Sequence, residues 1–298
     1  MLRPTLTFFA AAMLATQSPG AGAAPPKNSP VAYHKKVVLG VRAYVVTVDL
    51  NCKRIALVPH SSSGQYKSFR RFVKDHRPLA AINGTFFDPA TATVVCNLIA
   101  QGKLLSEGRV GHSLRIDSEN RAQLVSTAGL PGRLLDLKQW AFGLSAGPTL
   151  LRQGHSIMAA RSEGFRDPGL FGLAPRSAIG ITPNNKLLLV TVRKPVRLVR
   201  LSWMMKHLGA RDALNLDGGS STALYYQGNY VTRPRRLLTN IVGVYLRPQS
   251  ESPSVVAQPP APLYDEVNSL PVALQSSQVE APVDPTYVDI PEEELPPV

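Results

Sequence analysis

Several features that identify common enzyme classes are missing from this sequence of 298 residues. It has only two cysteines, and its six histidines are scattered without an i, i+4 pair or a His-x-His step. No G-x-S-x-G occurs, so the turn that carries the nucleophile of many serine hydrolases is lacking. These absences argue against a zinc hydrolase and against a serine hydrolase.

Long apolar runs are also scarce, and the one clear example lies at the amino terminus. Residues 1–24 combine a single charge, Arg3, with an apolar run from Leu6 to Ala15 and small residues at 21–23. This order is typical of a signal peptide and predicts a secreted or periplasmic protein. No other stretch approaches the roughly 18 apolar residues that cross a bilayer, so no transmembrane segment is predicted.

The predicted export bears on the two cysteines. In an oxidising compartment two cysteines can form one intramolecular bridge, so Cys52 and Cys96 are a candidate disulfide. The alternative is that both are buried thiols, which pack like small apolar side chains. The sequence leaves the choice between these two states open.

The carboxyl-terminal stretch lacks basic residues altogether. Residues 251–298 hold ten prolines and nine Asp or Glu but no Lys or Arg. Such a composition cannot bury a core, so a disordered acidic, proline-rich tail is predicted. Residues 25–36 are interpreted as an N-terminal extension, which leaves 37–250 as a single folded domain.

The charge is concentrated in the part of the chain before this tail. All 33 Lys and Arg lie there with 11 of the 20 acidic residues, which gives that part a net charge of +22. A field of this strength favours anionic partners, such as a phosphorylated or anionic glycan. Basic motifs interleaved with aromatics, which bind single-stranded nucleic acid, are absent, so no nucleic-acid partner is predicted. The oligomeric state is left open.

Short β-branched and aromatic runs dominate the domain and predict an α+β fold: one sheet-rich domain with a mixed β-sheet, several β-hairpins and a few packed helices. Four turn pairs between apolar segments predict hairpins. They are Gln101–Gly102, Gln153–Gly154, Asn184–Asn185 and Gln227–Gly228. Helices are predicted over Lys67 to His76, with Phe69, Phe72 and Val73 on one face, and from an N-cap at Ser202 to Leu208, ended by Gly209.

Each predicted helix is followed by a strand that ends in a polar, glycine-bearing loop. Units of this kind often lie side by side in one mixed sheet. We therefore expect four side chains to converge at one sheet edge. They are Asn83, Thr85, Asp217 and Ser220.

The loop after the second strand has the composition of an anion site. Successive amides around Gly218 and Gly219, with the hydroxyls of Ser220 and Ser221, can form a nest that binds phosphate. The alternative is a tight turn in which Asp217 bonds its own loop. A divalent cation on Asp217 and loop oxygens stays open, and no other cofactor is predicted.

A lone arginine, Arg176, enters an apolar strand directly after a proline. An unpaired buried guanidinium is costly, so Arg176 is expected to meet a carboxylate or a bound phosphate in bidentate geometry. A structural Arg–Asp bridge is the alternative interpretation.

Four ordered motifs together resemble the phosphodiester glycosidase family, across residues 37–247. The motifs are INGTFFDP, SAGPTLLRQG, APRSAIGITPNNKLLLVTV and ALNLDGGSSTALYYQGNYVTRP. The family's Asn-Gly-Gly-Phe-Phe loop is similar to residues 83–87, its Pro-Arg-Thr step to 175–177, and its Asn-Leu-Asp-Gly-Gly-Gly-Ser loop to 215–221. Two family glycines are replaced, by Thr85 and by Ser220.

The resemblance implies an exported hydrolase that cleaves a sugar-1-phosphodiester in glycans or envelope exopolysaccharide. It implies catalytic roles for Asp217, Arg176 and Asn83. Six residues would bind the substrate or its phosphate: Thr85, Asn215, Gly218, Gly219, Ser220 and Ser221. A second carboxylate would be Asp88, Glu107 or Glu163. The alternatives are a non-catalytic envelope protein that binds anionic glycan and a one-metal nuclease or phosphatase.

Overall fold

The structure is a computed structural model that describes residues 29–62, 64–157 and 160–248. The predicted signal peptide and the acidic tail lie outside the described residues. The first strand already begins at Val31, within the stretch that the sequence analysis assigned to an N-terminal extension.

The described residues form seventeen strands and two α-helices. The strands are β1 Val31–Val38, β2 Val41–Asp49, β3 Ile55–Ser61, β4 Ala80–Asn83, β5 Leu98–Ala100, β6 Lys103–Ser106, β7 His112–Ile116, β8 Ala122–Val125, β9 Phe142–Ala146, β10 Thr149–Arg152, β11 His155–Ser156, β12 Ala174–Ile181, β13 Lys186–Val196, β14 Asp212–Asn215, β15 Leu224–Tyr226, β16 Asn229–Thr232 and β17 Asn240–Leu246. The helices are α1 Phe69–His76 and α2 Leu198–His207, and three short 3₁₀ helices cover Gly132–Leu134, Pro168–Phe171 and Gly219–Ser221.

The strands build three sheets. Sheet 1 has the order β1-β2-β13-β12-β14-β10-β11, sheet 2 the order β16-β15-β4-β17-β3, and sheet 3 the order β6-β5-β9-β7-β8. The prediction of a sheet-rich fold with few helices is confirmed. The prediction of a mixed sheet is wrong, because all described pairings are antiparallel. The strands after the two helices, β4 and β14, are not neighbours and belong to different sheets.

The predicted hairpins are confirmed. The turn pairs connect β5 to β6, β10 to β11, β12 to β13 and β15 to β16, in that chain order. Positive φ angles occur at Gln101, Gln153, Asn185 and Gln227. These left-handed residues supply the backbone twist that a tight hairpin requires.

The main core lies between the three sheets. It includes Val46 and Leu189 from sheet 1, Ile82 and Val244 from sheet 2, and Leu144 from sheet 3. Helix α2 covers the other face of sheet 1, and α1 covers the outer face of sheet 2. Each of these two sheets is therefore packed on both faces, which fixes the ends of their strands.

Helix α1 matches its prediction closely. The Ser68 hydroxyl caps it by accepting a hydrogen bond from the amide of Arg71 at 3.1 Å, and Phe69, Phe72 and Val73 are buried. No helix among the described residues combines the length and apolar character that crossing a membrane requires.

Helix α2 begins four residues before the predicted N-cap. Ser202 is buried inside the helix, where its hydroxyl donates to the carbonyl of Leu150 at 2.6 Å. The prediction that Ser202 caps the helix is wrong, because apolar residues upstream of it, Leu198 and Leu201, extend the buried face. Gly209 ends the helix with a φ of 91°, as predicted.

Candidate active site

The strand ends of two different sheets meet at one point. Asn83 ends β4 in sheet 2, and Asp217 follows the end of β14 in sheet 1. The amide of Asp217 donates to the carbonyl of Gly84 at 3.3 Å, and Nδ2 of Asn83 donates to the carbonyl of Asp217 at 2.5 Å. The expected convergence therefore occurs, at a seam between sheets rather than along the edge of one sheet.

Asn83 is saturated by protein partners. Its Nδ2 group donates to the carbonyls of Gly84 and Asp217, while Oδ1 accepts from the Ser177 hydroxyl at 2.7 Å and the Ala223 amide at 3.0 Å. These four bonds use the whole hydrogen-bonding capacity of a carboxamide. The geometry therefore opposes the prediction that Asn83 is a catalytic group, and makes Asn83 a positioning residue for the backbone of Asp217.

A second asparagine, Asn240, fixes the neighbouring loop, and the sequence analysis missed it. Its Oδ1 accepts from the amide of Thr85 at 2.7 Å, and its Nδ2 donates to the carbonyl of Thr85 at 3.0 Å. Gly84 packs directly on this side chain, and a Cβ atom on Gly84 would lie 1.8 Å from Oδ1 of Asn240. An Asn at the start of β17, facing an Asn-Gly loop, is the signal that could have indicated this clamp.

Gly84→Ala is therefore expected to destabilise the protein by about 2 kcal/mol, because overpacking a buried contact has a cost of this order. Urea denaturation measures the change. Gly172→Ala is the matched control, since its Cβ would meet the carbonyl of Gly169 at an ordinary 3.5 Å. Equal stability of the two variants would contradict the proposed tight contact between Gly84 and Asn240.

Asp217 is the central carboxylate of the site. Its residue is partly exposed, yet burial of the carboxyl group raises its pKa above the ordinary value. Three groups oppose that rise: the Ser221 hydroxyl, the charge of Arg236 and the amide of Gly218. A carboxylate with reduced hydration interacts strongly with charge that develops beside it.

Arg236 is the cation whose charge acts on the pKa of Asp217. The sequence analysis did not single it out. Its guanidinium carbon lies 4.2 Å from the centre of the Phe87 ring, a stacked arrangement that holds the group in place. The run Arg233-Pro234-Arg235-Arg236 was the available signal. The amide of Arg235 donates to the carbonyl of Ser220 at 2.7 Å, so this basic run lies along the glycine loop.

The glycine loop forms an anion nest. The amide of Gly218 bonds the Asp217 carboxylate, as the tight-turn alternative requires, but the amides of Gly219 and Ser220 donate to no described residue. Gly218 lies against β12, since a Cβ there would be 2.9 Å from the carbonyl of Pro175. Two free amides in succession, in a short 3₁₀ turn, offer a concave donor surface for an anion.

The guanidinium of Arg176 does not meet a carboxylate among the described residues. It donates to the carbonyl of Val196 at 3.1 Å, to that of Leu170 at 2.9 Å, and to that of Gly172. Burial lowers its pKa to about 10. Neither the Arg–Asp bridge nor a carboxylate partner is found. A cage of carbonyls holds the charge. Arg176 also packs against the glycine loop, since a Cβ on Gly218 would lie 3.7 Å from its Cδ. Its catalytic role stays a prediction.

Glu163 is a buried acid close to the site. The residue is 2% exposed, and both carboxylate oxygens accept from the amide of Thr149, at 3.0 and 2.9 Å. A Cβ on Gly147 would lie 2.6 Å from Oε2 of Glu163. The carbonyl of Gly147 in turn accepts from Nδ2 of Asn215 at 3.0 Å, which connects Glu163 to the strand that leads into Asp217.

Burial is the main cause of an unusual pKa at Glu163, which rises to about 7. Bonds from Thr149 and the charge of Arg152 oppose the rise. A carboxyl group with a pKa near 7 can both take and give a proton at neutral pH.

Asp88 and Glu107 have structural roles. Oδ1 of Asp88 accepts from the amide of Ala90 at 2.8 Å, which closes a local turn. Glu107 pairs with Arg133 at 2.9 Å at the surface, where its side chain keeps 38% of its exposure to solvent. Among the three predicted candidates, Glu163 is therefore the buried acid that is linked to the strand leading into Asp217.

Unpaired buried oxygens cluster around these groups. Among the described residues, eight buried side-chain atoms make no hydrogen bond of ordinary geometry, and five of them belong to the predicted loops or their direct neighbours. The five are on Thr85, Thr149, Asn215, Ser221 and Thr222. The hydroxyls of Thr85, Thr149 and Ser221 still act on Cys96, Glu163 and Asp217, respectively, from outside ordinary hydrogen-bond geometry. Each such atom costs about 1–3 kcal/mol if it stays unpaired. Their concentration beside Asp217 indicates a site built for a polar ligand.

Both cysteines are free, so the candidate disulfide is not formed. Cys96 contacts Thr85, which is hydrogen-bonded to Asn240. Asn240 pairs with Ser61, so Cys96 lies near the carboxyl-terminal end of β3. Cys52 lies in the turn before the other end of β3. A seven-residue strand is about 20 Å long, beyond the roughly 7 Å between bridged Cα atoms. The buried-thiol alternative holds for Cys96, whose pKa burial raises to about 12.

The described residues contain no group of three or more His, Cys, Asp or Glu side chains arranged to hold a metal ion. The set around Asp217 is instead made of amides, hydroxyls, one arginine and one further carboxylate. These donors suit an anion and a sugar.

Comparison with known proteins identifies the class. The sequence model of a family of glycan-acting hydrolases, the phosphodiester glycosidases, matches residues 76–245, more than half of the chain. The match contains Asn83, Glu163, Asp217, Arg236 and Asn240. The chain therefore belongs to the phosphodiester glycosidase family.

Solved structures share the fold. A hypothetical protein from Synechocystis superposes with a TM-score of 0.63 at 17% identity, over 73% of this chain, which spans 62% of that protein. The zebrafish N-acetylglucosamine-1-phosphodiester alpha-N-acetylglucosaminidase catalytic domain, auto-inhibited by its pro-peptide, superposes with a TM-score of 0.60 at 17% identity. That alignment covers 74% of this chain and 86% of the zebrafish domain. A search of curated proteins finds no match.

Proposed function

We propose that the protein hydrolyses a sugar-1-phosphodiester, with the sugar between Asp217 and Glu163 and the phosphate on the glycine loop. The observation that carries the proposal is the free anion nest directly beside the Asp217 carboxyl group, whose pKa burial raises. Glu163 is linked to the same strand through Gly147 and Asn215. A binding protein gains nothing from a carboxylate beside its phosphate. A glycosidase needs one at the anomeric carbon.

The phosphate side of the reaction needs binding more than acid catalysis. Breaking the bond at the anomeric carbon expels a phosphomonoester, whose second pKa is about 6, so it departs with little help from a proton. The amides of Gly219 and Ser220 would donate hydrogen bonds to the phosphate oxygens. Arg236 would neutralise the charge that grows on them, and fixed donors of this kind need no reorganisation during the reaction.

The two acids would have different roles at the sugar. The Asp217 carboxylate would stabilise the positive charge that develops on the anomeric carbon. Glu163, with a pKa of about 7, would remove a proton from the attacking water. The unpaired Oδ1 of Asn215, two residues before Asp217, would bind a sugar hydroxyl.

The chemical step balances as a simple hydrolysis. The water oxygen bonds to the anomeric carbon while the bond from that carbon to the phosphate oxygen breaks. The electron pair of the broken bond leaves with the phosphomonoester. The proton of the water passes to Glu163 and then to solvent, which restores the carboxylate.

The cellular setting belongs to the same proposal. Export as a secreted or periplasmic protein is supported by residues 1–24, and an envelope exopolysaccharide is a natural phosphate-bearing glycan for such a protein. Proteinase accessibility of the protein in intact and in osmotically shocked cells would test export. Protection in both preparations would contradict it.

The activity is tested by incubating the purified protein with a UDP-linked hexosamine and with a hexosamine-1-phosphate methyl diester. Free sugar should appear in equal amounts with UDP from the first compound and with methyl phosphate from the second, because water cleaves only the bond to the anomeric carbon. Release of phosphate from a simple aryl phosphate would instead favour a phosphatase. Tight binding without release of sugar from either compound would favour the glycan-binding alternative.

A further inference from the structure

Two adjoining cavities continue outward from the glycine loop. The first, of about 640 Å³, is lined in part by Gly219, Arg193 and Thr222, and the second, of about 430 Å³, by Arg70 and Arg236. Three residues line both: Tyr230, Arg233 and Arg235. Each volume lies in the range of small-ligand sites. We call this surface the arginine track, defined by Arg70, Arg193, Tyr230, Arg233 and Arg235.

The charges of the track are not neutralised by the protein. No acidic residue lines either cavity, and no carboxylate among the described residues pairs with Arg70, Arg193, Arg233 or Arg235. Four like charges on one surface repel each other unless an anion lies between them. The track therefore has the electrostatics of a site for several negative groups, beyond the single phosphate of the nest.

Aromatic rings hold three of these four guanidinium groups in place. Arg193 stacks on Tyr44 at 4.2 Å, and Arg70 and Arg233 lie 5.6 and 6.0 Å from the centre of the Tyr230 ring. Tyr230 lines both cavities and is partly exposed, so part of its ring can contact an apolar part of a ligand. The alternation of cations with an aromatic ring suits a chain in which anionic groups alternate with sugars.

We propose that the arginine track is the aglycone subsite for a glycan chain that carries further phosphodiester groups beyond the scissile one. This inference rests on the proposed function, because the nest at Gly219 defines which phosphate is cleaved. The track begins at that nest, so the chain beyond the scissile phosphate lies along it. The substrate class is therefore a polymer of phosphate-linked sugars rather than a sugar phosphate with a neutral aglycone.

The test compares two substrates of the purified protein: a hexosamine-1-phosphate methyl diester and a tetramer of the same sugar joined by 1-phosphodiesters. The wild type should favour the tetramer in kcat/KM, and added salt should reduce this preference, because exposed charges are screened. In Arg70→Gln/Arg193→Gln the preference should fall about tenfold, since each exposed ion pair contributes up to about 1 kcal/mol. An unchanged preference in that variant overturns the proposal.

A matched control removes two other positive charges. Lys186 is exposed at the first residue of β13, whereas Arg193 lies near the last. Arg247 is exposed just after the last residue of β17, whereas Asn240 is the first. Lys186→Gln/Arg247→Gln should keep the preference within about twofold, since net charge alone acts only weakly through screened solvent. A loss as large as in the track variant would mean that net charge and not the track selects the substrate, and would overturn the proposal.

Two further ligands identify the chemistry that the track recognises. A tetramer whose later units carry carboxylates in place of phosphodiesters should be the poorer substrate, and equal rates would contradict a preference for phosphate. Oligodeoxythymidylate should inhibit more weakly than a non-cleavable tetramer, because its deoxyribose rings are furanoses and offer Tyr230 a smaller C–H face than hexosamine rings do. Equal inhibition would overturn the assignment to a glycan.

Failure of the proposed function would be distinguishable from failure of this inference. If neither substrate is hydrolysed, calorimetric binding of the tetramer still tests the track. Weaker tetramer binding by about tenfold in Arg70→Gln/Arg193→Gln, but not in the control, would support the track without catalysis. Equal binding in both variants would overturn it.

Discussion

Asp217→Asn is expected to lower kcat by about 10⁴-fold, the scale seen when a catalytic carboxylate is neutralised. The asparagine side chain has nearly the same shape and can still accept the bond from the amide of Gly218. It cannot stabilise positive charge on the anomeric carbon. Single-turnover release of sugar from the hexosamine-1-phosphate methyl diester measures the effect, and thermal unfolding checks that the fold is kept.

Asp136→Asn is the matched control, because Asp136 is exposed and only caps the local amide of Lys138. It should leave kcat unchanged. The Asp217→Asn variant should also bind the phosphomonoester product more tightly, since a negative group beside the nest is removed. Retained turnover in Asp217→Asn would eliminate Asp217 from the mechanism.

Glu163→Gln is expected to lower kcat by about 10²–10⁴-fold, the usual contribution of a general base. The wild type should gain activity with rising pH up to about pH 7, because Glu163 must lose its proton to act as a base and its pKa is about 7. The variant should lose this rising limb. Initial rates between pH 5 and 9 measure both effects.

The same substitution should stabilise the protein at alkaline pH. Burial raises the pKa of Glu163 from 4.5 to about 7, so the folded state favours the protonated form. The stability that this preference contributes is complete below pH 4.5 and is lost as the pH rises through 7. At pH 8 the folded protein holds a buried charge, and glutamine removes it. A gain on the order of 2 kcal/mol is expected in urea denaturation.

Glu107→Gln separates this effect from the mere loss of a carboxylate. Glu107 lies at the surface in an ion pair with Arg133, so its neutralisation should change neither the pH profile nor the stability by much. A Glu163→Gln variant that keeps its rising limb would show that another group is the base. A variant that is less stable at pH 8 would contradict the buried charge.

Local patterns predicted local structure well. The Gln–Gly and Asn–Asn pairs correctly predicted four hairpins, because a left-handed residue between two apolar runs is typical of a tight hairpin turn. Helix α1 followed from its apolar spacing and the cap at Ser68. Helix α2 was displaced because Ser202 resembles a cap in sequence, whereas its hydroxyl reaches a carbonyl of β10 inside the protein.

Long-range relations could not be predicted from these patterns. Whether β4 and β14 share a sheet depends on which strands lie between them, and the sequence does not record this. The convergence of Asn83 and Asp217 was nevertheless predicted, because polar loops after buried strands tend to face a common edge. It occurs across two sheets, which changes Asn83 from a catalytic candidate into a positioning residue.

The electrostatic partners were the least predictable part of the site. Arg176 stood out as a charge in an apolar strand, but carbonyls hold it. Arg236 did not stand out in a basic run, although its positive charge opposes the rise that burial causes in the pKa of Asp217. Glu163 was one of three acids without a distinguishing motif. Only its burial in the folded protein separates it from Asp88 and Glu107.

The bonds of Asn83 have a consequence for how the protein folds. They join positions that are 94, 134 and 140 residues apart, besides the adjacent Gly84. Closing such distant contacts is entropically slow, so they form after the local hairpins. The seam that carries Asp217 is therefore among the last parts of the chain to become native. Catalytic competence then reports the completion of folding in both sheets, whereas circular dichroism recovers earlier.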